Sequence, residues 1–414
     1  MTNPRLRFKK PDGAAYPDWE KTTVGTLFAP VCEKNRNDAF DNVITNSAEY
    51  GLIPQRDFFD KDIAVEGRTS NYTIIHKGDF VYNPRKSTTA PFGPFNCYEL
   101  EEPGIVSPLY TCLKPKDDTL SNYLLWYFQT YKWHPYIKQN GAQGGARHDR
   151  VGMTSELMAG IPVSMPKSDG ERERIVHCLE SLNDRFVTQE QYVATLETQK
   201  KELLRQVFAR EIRFKDGNGQ DYPEWKNVIL HDISEMITVG IANSATHAYR
   251  EKGIVMFRNQ NIKNNKLDDT DLIYIDEDFE RQYKNKRLKA YDLLVARTGY
   301  PGTCCVVPPK YENTQTFTTI IVRLRLLDAA PQFICQYINS PMGVSYIAST
   351  QIGGGQKNSG VGIIEKMPVV LPSKPEQQRI ADFFTALDAQ IENERALLED
   401  WRQLKKGLLQ QMFV

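Results

Sequence analysis

Two long stretches of the chain carry apolar residues at alternating spacings of three and four. The apolar positions of the first stretch are Ile175, Leu179, Leu182, Phe186, Val193, Leu196, Leu203 and Val207. Those of the second are Ile380, Phe384, Leu387, Ile391, Leu398, Trp401, Leu408 and Met412. A mean spacing of about 3.5 residues is typical of a coiled-coil seam. The pattern therefore predicts two helices of about 40 residues, each about 60 Å long at ~1.5 Å per residue.

The two stretches belong to an internal repeat. Arg7 recurs 206 residues later as Arg213, and Arg174 recurs 205 residues later as Arg379. Each predicted helix is preceded by Ser-x-x-Glu, at residues 168–171 and 373–376, which is the pattern of a capping box. Because a helix of this length cannot bury its apolar seam inside one small domain, the other copy is its simplest partner.

Polar residues interrupt both seams at corresponding places. They are Gln189 and Lys200 in the first copy, and Glu394 and Lys405 in the second. Repeat symmetry favours an antiparallel helix pair. One register would set Lys200 against Glu394 and Gln189 against Lys405, so that all four polar positions would be compensated.

The repeat divides the chain into four predicted parts: globular parts at residues 1–160 and 213–366, and helical parts at residues 161–212 and 367–414. The globular parts differ in sequence, and each has a helical pattern near its end, at residues 122–131 and Pro331–Asn339. Strands are predicted at residues 72–75, 79–82, 254–257, 292–296 and 318–324. We therefore expect a mixed α/β (α+β) fold with two globular domains joined by two long antiparallel coiled-coil helices.

The chain's 414 residues include 52 basic and 52 acidic side chains. The four parts carry net charges of 0, −1, +2 and −1. This balance excludes a uniformly basic nucleic-acid binder but not a reader with local positive charge. No stretch approaches the ~20 apolar residues of a membrane helix. The N-terminus lacks the apolar core of a signal peptide, and the seven cysteines fit reduced thiols, so a cytoplasmic location is expected.

Motifs for catalysis are missing from the sequence. There is no G-x-x-x-x-G-K-[ST] phosphate loop and no glycine-rich turn suited to a dinucleotide or adenosyl cofactor. Asn83-Pro84 is followed by Arg85, not by the aromatic residue of an amino-methyltransferase loop. The six histidines show no metal-ligand spacing. We therefore predict a protein that is not an enzyme and binds no metal or cofactor itself.

Side chains that can read or hold DNA cluster in a few loops. Arg pairs well with guanine, and Asn or Gln pairs with adenine. The candidates in the first globular part are Arg85, Lys86, Arg147, His148 and Arg150. Those in the second are Arg258, Asn259, Gln260, Asn261, Lys284, Lys286, Arg287, Arg297, Gln356, Lys357 and Asn358. The alternative for the basic run at residues 281–289 is a solvated face that pairs with its acidic neighbours.

The sequence resembles the specificity subunit of Type I restriction–modification enzymes. The resemblance rests on the repeat, the heptad helices, the R-F-K and Y-P-E-W runs at residues 213–215 and 222–225, and four further motifs. These motifs are L-P-S-K-P-E-Q-Q-R-I at residues 371–380, L-K-K-G-L-L-Q-Q-M-F at 404–413, K-G-D-F-V-Y-N at 77–83 and D-L-L-V-A-R-T-G at 292–299. The first copy departs from the first motif, with G-E-R-E-R-I at residues 170–175.

The resemblance implies two target-recognition domains, each reading one half of a split, asymmetric site on double-stranded DNA. It implies that the helices set the spacer and dock two methyltransferase subunits, and that two nuclease and translocase subunits join the complex. S-adenosylmethionine, ATP and Mg²⁺ are then expected on the partners. Alternatives are the same architecture in a related methylation or defence system, a coiled-coil scaffold that binds only protein, and a free-standing methyltransferase or nuclease.

Overall fold

The computed structural model describes residues 3–58, 69–141, 149–350 and 360–414. The chain divides into two compact units. The first unit joins Met1–Thr188 with Leu398–Val414, and the second is Gln189–Leu397. Within the described ranges, no helix has both the length and the apolar character needed to cross a membrane.

Two helices are far longer than all the others in the described chain. The first long helix is Asp169–Phe208 and the second long helix is Lys374–Met412. Their lengths of 40 and 39 residues confirm the prediction made from the heptad pattern. None of the seam positions named above is exposed. Because the boundary between the units crosses both helices, each unit holds one segment of each.

The helix segments run antiparallel inside each unit. The contacting pairs are Phe186 with Arg402 and Asn183 with Lys405 in the first unit, and Gln189 with Glu394 and Lys200 with Asp388 in the second. In both units the residue numbers rise along one segment while they fall along the other. This is the direction that the repeat predicted.

The predicted register is wrong. Glu394 accepts a hydrogen bond of 2.7 Å from Gln189, not from Lys200, and Lys200 bonds to Asp388. Gln189 and Glu394 occupy equivalent places in the repeat, so an amide and a carboxylate satisfy each other. The prediction considered seam positions alone, whereas Asp388 lies one residue after the seam position Leu387.

The two units carry comparable sets of strands. Those of the first unit are β1 (Glu20–Thr23), β2 (Phe28–Pro30), β3 (Ile44–Ser47), β4 (Gly51–Pro54), β5 (Thr73–Ile75), β6 (Phe80–Tyr82), β7 (Phe95–Cys97), β8 (Gly104–Val106), β9 (Thr111–Pro115) and β10 (Pro162–Met165). Those of the second are β11 (Lys226–Ile229), β12 (Ser234–Val239), β13 (Tyr249–Arg250), β14 (Ile254–Phe257), β15 (Ile262–Lys263), β16 (Lys266–Leu267), β17 (Ile273–Ile275), β18 (Leu293–Val295), β19 (Cys304–Val306), β20 (Gln315–Thr316), β21 (Ile320–Leu324) and β22 (Pro368–Leu371).

Short helices complete both units. The first unit has Val24–Leu27, Gln55–Phe58, Ser121–Phe128, His134–Asn140 and Ser155–Ala159. The second has Glu277–Arg281, Pro331–Asn339, Pro341–Ser349 and Val361–Glu365. The 3-10 helices are Asp118–Leu120, Leu230–Ile233, Thr246–Ala248, Asn259–Asn261, Lys284–Lys286 and Pro309–Tyr311.

Most predicted elements lie where the sequence placed them. The helix Pro331–Asn339 and strand β14 match their predicted bounds. Strands β5, β6, β18 and β21 lie inside the predicted runs and are shorter by one or two residues at their ends. The helix predicted at residues 122–131 ends earlier, at Phe128, and a second helix starts at His134.

Each unit contains a four-stranded sheet with an equivalent strand order. The order is β2-β9-β6-β7 in the first unit and β12-β21-β18-β19 in the second. In both sheets the last two strands form an antiparallel pair. In the first sheet the strand residues Phe80 and Phe95 pack against Phe128 of the helix Ser121–Phe128. Aliphatic residues such as Leu293 and Ile320 dominate the second.

The repeated flanking sequence builds the same local structure at the start of each long helix. Strand β1 pairs with β10, and β11 pairs with β22, both antiparallel. Arg7 donates to both carboxylate oxygens of Glu171, at 2.9 and 2.8 Å. Arg213 makes the same pair with Glu376, at 3.4 and 3.2 Å. Both glutamates are fully buried in the first turn of their helix, where the helix dipole also favours negative charge.

These ion pairs correct the predicted capping box. The second box needs Ser373 and Glu376 to satisfy each other's backbone N–H groups. However, the Ser373 hydroxyl has no hydrogen-bond partner, and Glu376 also accepts the indole N–H of Trp225 at 3.0 Å. The glutamate carboxylate is taken by side chains distant in sequence, so a tertiary contact replaces the local cap.

Candidate nucleic-acid interface

The reading loop of the second unit, residues 258–261, follows strand β14 directly. Asn261 holds this loop in shape. Its side-chain oxygen accepts the backbone N–H of Arg258 at 2.9 Å, and its amide donates to the carbonyl groups of Asp268 and Asp271 at 3.0 Å. Asn261 is 2% exposed. Its amide therefore supports the loop and does not face solvent.

One carboxylate holds two candidate base-reading side chains. Arg258 and Gln260 both donate to Asp271 Oδ2, each at 2.7 Å. The Nε atom of Arg258 is buried and has no hydrogen-bond partner. Fixed rotamers lower the conformational entropy lost on binding. Asp271 therefore organises the pair, and a base that bonds to the same donors has to displace it.

Asn259 joins the reading loop to its neighbours. Its side-chain oxygen accepts the backbone N–H of Arg297 at 2.7 Å, and its amide donates to the hydroxyl of Thr318 at 3.0 Å. The reading loop, the connection between β18 and β19 and the turn at Thr318 therefore meet around an open depression of about 630 Å³. Asn259 and Arg297 were separate candidates in the sequence, and the fold brings them together.

The connection between β18 and β19 presents an exposed aromatic ring at the rim of this depression. Tyr300 is 84% exposed. The nearby Gly299 and Gly302 have φ angles of +77° and +94°, which favour glycine. A Cβ on Gly302 would lie 2.6 Å from Ile347. Tyr300 was not among the residues predicted from the sequence, although an aromatic residue between two nearby glycines is a usable signal.

Two of the five cations of the basic run at residues 281–289, Arg281 and Arg287, pair with the acidic segment before the run. Arg287 makes a bidentate pair with the buried Glu280, at 2.6 Å for each bond. This pairing lowers the pKa of the Glu280 carboxyl. Lys286 donates to the carbonyl of Gly240 at 2.9 Å, and Lys284 is exposed. For Arg287 and Lys286 the structure gives stabilising partners inside the protein.

In the first unit the fold brings two separate candidate segments together. Arg85 and Arg150 form an isolated antiparallel bridge, and the backbone N–H of Lys86 donates to the carbonyl of Asp149 at 2.9 Å. The Asp149 carboxylate lies 4.0 Å from Arg85 Nε and 3.9 Å from Arg150 Nε. Arg85 is 66% exposed. These three cationic residues therefore form one basic patch.

Part of each candidate cluster occupies an equivalent place in its unit. Arg85 and Lys86 lie in the connection between β6 and β7, and Arg297 and Tyr300 lie in the connection between β18 and β19. These pairs are the last two strands of the equivalent sheets. The remaining candidates, Arg147, His148, Gln356, Lys357 and Asn358, lie outside the described residues.

Neither a metal centre nor a disulfide emerges from the described part of the chain. It contains no group of three His, Cys, Asp or Glu residues that could hold a metal ion. Its seven cysteines are free. Burial raises the pKa of the Cys97 and Cys112 thiols to about 12. Those two thiols stay protonated at neutral pH and are weak nucleophiles.

Comparisons with known proteins place this architecture. The model of the family described as Type I restriction modification DNA specificity domain matches residues 222–400. No curated protein sequence matches the chain. One similar structure belongs to a study of the structural basis underlying complex assembly and conformational transition of the type I R-M system. It has 14% identity and a TM-score of 0.58, over 96% of this chain and 98% of the other.

A second similar structure is the S subunit of a Type I restriction-modification system from M. genitalium. It is 11% identical, with a TM-score of 0.55 over 100% of this chain and 99% of the other. At this identity the similarity concerns the fold. Together with the family match, it confirms the resemblance seen in the sequence. Residues 222–400 match the Type I restriction modification DNA specificity domain, and the fold of the whole chain is similar to that of a Type I S subunit.

Proposed function

We propose that this chain reads a bipartite, asymmetric site on double-stranded DNA, with one half-site read by each globular domain. The observation that carries the proposal is the equivalence of the two clusters. Arg85 with Lys86, and Arg297 with Tyr300, lie in the connections between the last two strands of the same kind of sheet, yet the side chains differ. Equivalent positions with different chemistry suit two readers that select different base sequences.

The two long helices serve as the ruler and the platform of this reader. Their heptad seams give each unit a rigid segment, and a helix of about 60 Å exceeds the roughly 34–36 Å of one DNA turn. The domains that we assign are residues 1–160 and 213–366 for recognition, with residues 161–212 and 367–414 as the helical parts. The partners that we assign are two methyltransferase subunits and two nuclease and translocase subunits.

In this proposal the partner subunits catalyse the reactions and bind the cofactors. S-adenosylmethionine would bind the methyltransferase subunits, and ATP with Mg²⁺ would bind the translocating subunits. Since the chain's net charge is zero, the partners also supply much of the attraction for phosphate. The isolated chain should bind DNA weakly, and its affinity should rise when the methyltransferase joins.

Methylome sequencing tests the proposal. The chain is co-expressed with its methyltransferase partner in cells that lack other adenine methylation. The expected result is adenine methylation at two short, different sequences separated by a fixed unspecified spacer. A continuous motif would contradict the bipartite reading. A stable complex without sequence-selective methylation or DNA binding would support the protein-only scaffold instead.

A further inference from the structure

The reading loop at residues 258–261 continues into a very short hairpin. Strands β15 and β16 contribute two residues each. The turn between them contains Asn265, whose φ of +59° lies in the left-handed region. The backbone N–H of Asn265 donates to the carbonyl of Cys304 at 2.9 Å. Because only a few residues separate this turn from the reading loop, a displacement of the turn should also displace the loop.

The side chain of Asn265 ties this turn to the helix Pro331–Asn339. Its amide donates to the side-chain oxygen of Gln336 at 3.1 Å. Its oxygen accepts the amide of Asn339 at 2.7 Å. Asn339 in turn bonds to both backbone groups of Cys304, at 2.9 and 2.8 Å. The turn is thus held through side chains as well as through its backbone.

Gln336 extends the chain of contacts to both long helices. It is 2% exposed, and its amide donates to Asp388 Oδ2 at 2.6 Å. The other oxygen of Asp388 accepts a hydrogen bond from Lys200. An outer contact runs beside this chain, because Lys266 donates to Glu392 at 2.7 Å and lowers the pKa of that carboxyl.

Burying such a chain of polar groups gives little net stability but fixes geometry strongly. A polar network is favourable only when every member keeps its partners, and each partner restricts the position of the next. Base reading is sensitive to displacements of about 0.5 Å. A direct path of hydrogen bonds from the helix pair to the β15–β16 hairpin is therefore suited to fix the position of the reading loop that this hairpin continues.

We propose that Lys200, Asp388, Gln336 and Asn265 are positioning residues for base selection in the second half-site. They fix the Arg258–Gln260 reading loop on the long helices and touch no base themselves. This inference rests on the proposed function. It adds that the precision of the second reader depends on the helix seam.

The test uses the full chain in complex with its methyltransferase partner and a DNA library with both half-sites randomised. Asn265→Gly keeps a residue that accepts the left-handed backbone but removes the amide. Gln336→Leu removes the central amide at similar volume. Both variants should lose about tenfold in preference for the correct bases of the second half-site, equivalent to one well-placed hydrogen bond. Preference at the first half-site should stay unchanged.

Gln377→Leu is the matched control. Gln377 lies in the same unit, is 1% exposed and also has both amide groups bonded, to Ala330, Asp328 and Pro372. It has no place in the chain from Lys200 to Asn265. This control should lower the melting temperature and leave the preference at both half-sites unchanged.

The outcomes separate the inference from the function on which it rests. If the wild-type complex selects a bipartite site but Asn265→Gly and Gln336→Leu keep the full preference, the positioning role is refuted and the function stands. The positioning role is also refuted if Gln377→Leu relaxes the second half-site equally, because stability alone then explains the loss. If Gln336→Leu fails to fold, the base preference of Asn265→Gly and of Lys266→Met at the second half-site decides whether the positioning role holds. A wild-type complex without selectivity overturns both.

Discussion

The lysine that interrupts each helix seam has the same place in the two units but different partners. Lys200 and Lys405 lie 205 residues apart in the repeat, as do their partners Asp388 and Asn183. Lys200 therefore meets a carboxylate, whereas Lys405 meets a neutral amide oxygen at 2.8 Å. The two units therefore share the placement of the lysine and its partner, but only Lys200 has an opposite charge as that partner.

The short helix beside each lysine shows the same divergence. Tyr127 and Tyr337 each donate to the carbonyl of the proline that opens β10 or β22, at 2.8 Å in both units, so their helices occupy equivalent places. One residue earlier, the first unit has Trp126 and the second has Gln336. Lys405 lies 5.1 Å from the centre of the Trp126 ring, a cation–π contact.

This difference shows which residues of the repeat are alike in the two units and which differ. The ion pairs at the helix starts are alike, with arginine on buried glutamate in both units. The centre of the second unit has a chain of hydrogen-bonded polar side chains that continues to the β15–β16 hairpin, and the centre of the first has an aromatic ring. The scaffold is therefore duplicated, whereas the residues packed at its centre are particular to each unit.

The largest expected effect comes from changing the shared scaffold. Four residues inserted after Val187 lengthen the first long helix by about 6 Å and rotate everything after the insertion by more than a full turn. Methylation of the original site should disappear, or move to sites with a longer spacer. Methylome sequencing gives the result directly. The same insertion after Gly217, an exposed turn residue, is the control, and a site unchanged by the helix insertion would refute the ruler.

A smaller effect distinguishes the two helix starts. Glu376→Ala removes the acceptor of its arginine and of Trp225, whereas Glu171→Ala removes only that of its arginine, because the indole N–H of Trp19 has no hydrogen-bond partner. The first substitution should cost about 3 kcal/mol in the free energy of unfolding, and the second about 1 kcal/mol less. Urea unfolding followed by tryptophan fluorescence measures both values.

A double-mutant cycle separates the tryptophan contribution from that of the arginine. Adding Trp225→Phe to Glu376→Ala should remove the additional loss, because no buried N–H is then left without an acceptor. Equal costs for the two alanine variants would mean that the Trp225 hydrogen bond contributes nothing measurable.

The sequence predicted those features that depend on local periodicity or on the repeat. The long helices followed from the heptads, and the antiparallel direction followed from the repeat. The register could not be predicted, because Asp388 lies beside the seam and its pairing with Lys200 depends on the crossing geometry. The capping box failed for a similar reason, since Arg213 and Trp225 reach Glu376 from more than 150 residues away in sequence.

The candidate site was predicted only as a set of side chains. The amino-acid types at residues 258–261 indicated base reading but gave no roles to individual positions. Burial and hydrogen bonds make Asn261 and Asn259 supports of the loop. Tyr300 and Asn265 owe their roles to loop conformations in three dimensions. No periodic pattern in the sequence predicts these loop conformations.

The next effect concerns the recognition loops themselves. Arg258→Ala should relax preference at one position of the second half-site by about 1–3 kcal/mol, and Arg85→Ala should do the same in the first half-site. Each half-site should respond to its own variant alone. Binding to cognate and scrambled DNA, measured at several salt concentrations, gives both values. An equal loss on both DNAs would assign that arginine to phosphate contact and remove it from the residues that read bases.

The smallest effect is expected when the hydrogen-bond partners of Lys405 and Lys200 are exchanged between the units. Burial lowers the pKa of Lys405, so the folded chain releases this proton at a lower pH than the unfolded chain does. Between those two pKa values the unfolded state binds more protons, and the free energy of unfolding rises with pH. Asn183→Asp places a carboxylate beside the ammonium group, raises its pKa and should remove this rise.

At pH 7.5 the same variant should gain about 1 kcal/mol, the upper range for an accessible ion pair and the lower range for a charged hydrogen bond. Asp388→Asn in the second unit is the reciprocal exchange and should lose stability at that pH. Urea unfolding of wild type and both variants between pH 7.5 and 10.5 measures the slopes, since the other lysines titrate alike in all three proteins. Identical slopes for wild type and Asn183→Asp would show that the charge of Lys405 is already compensated by its aromatic neighbours.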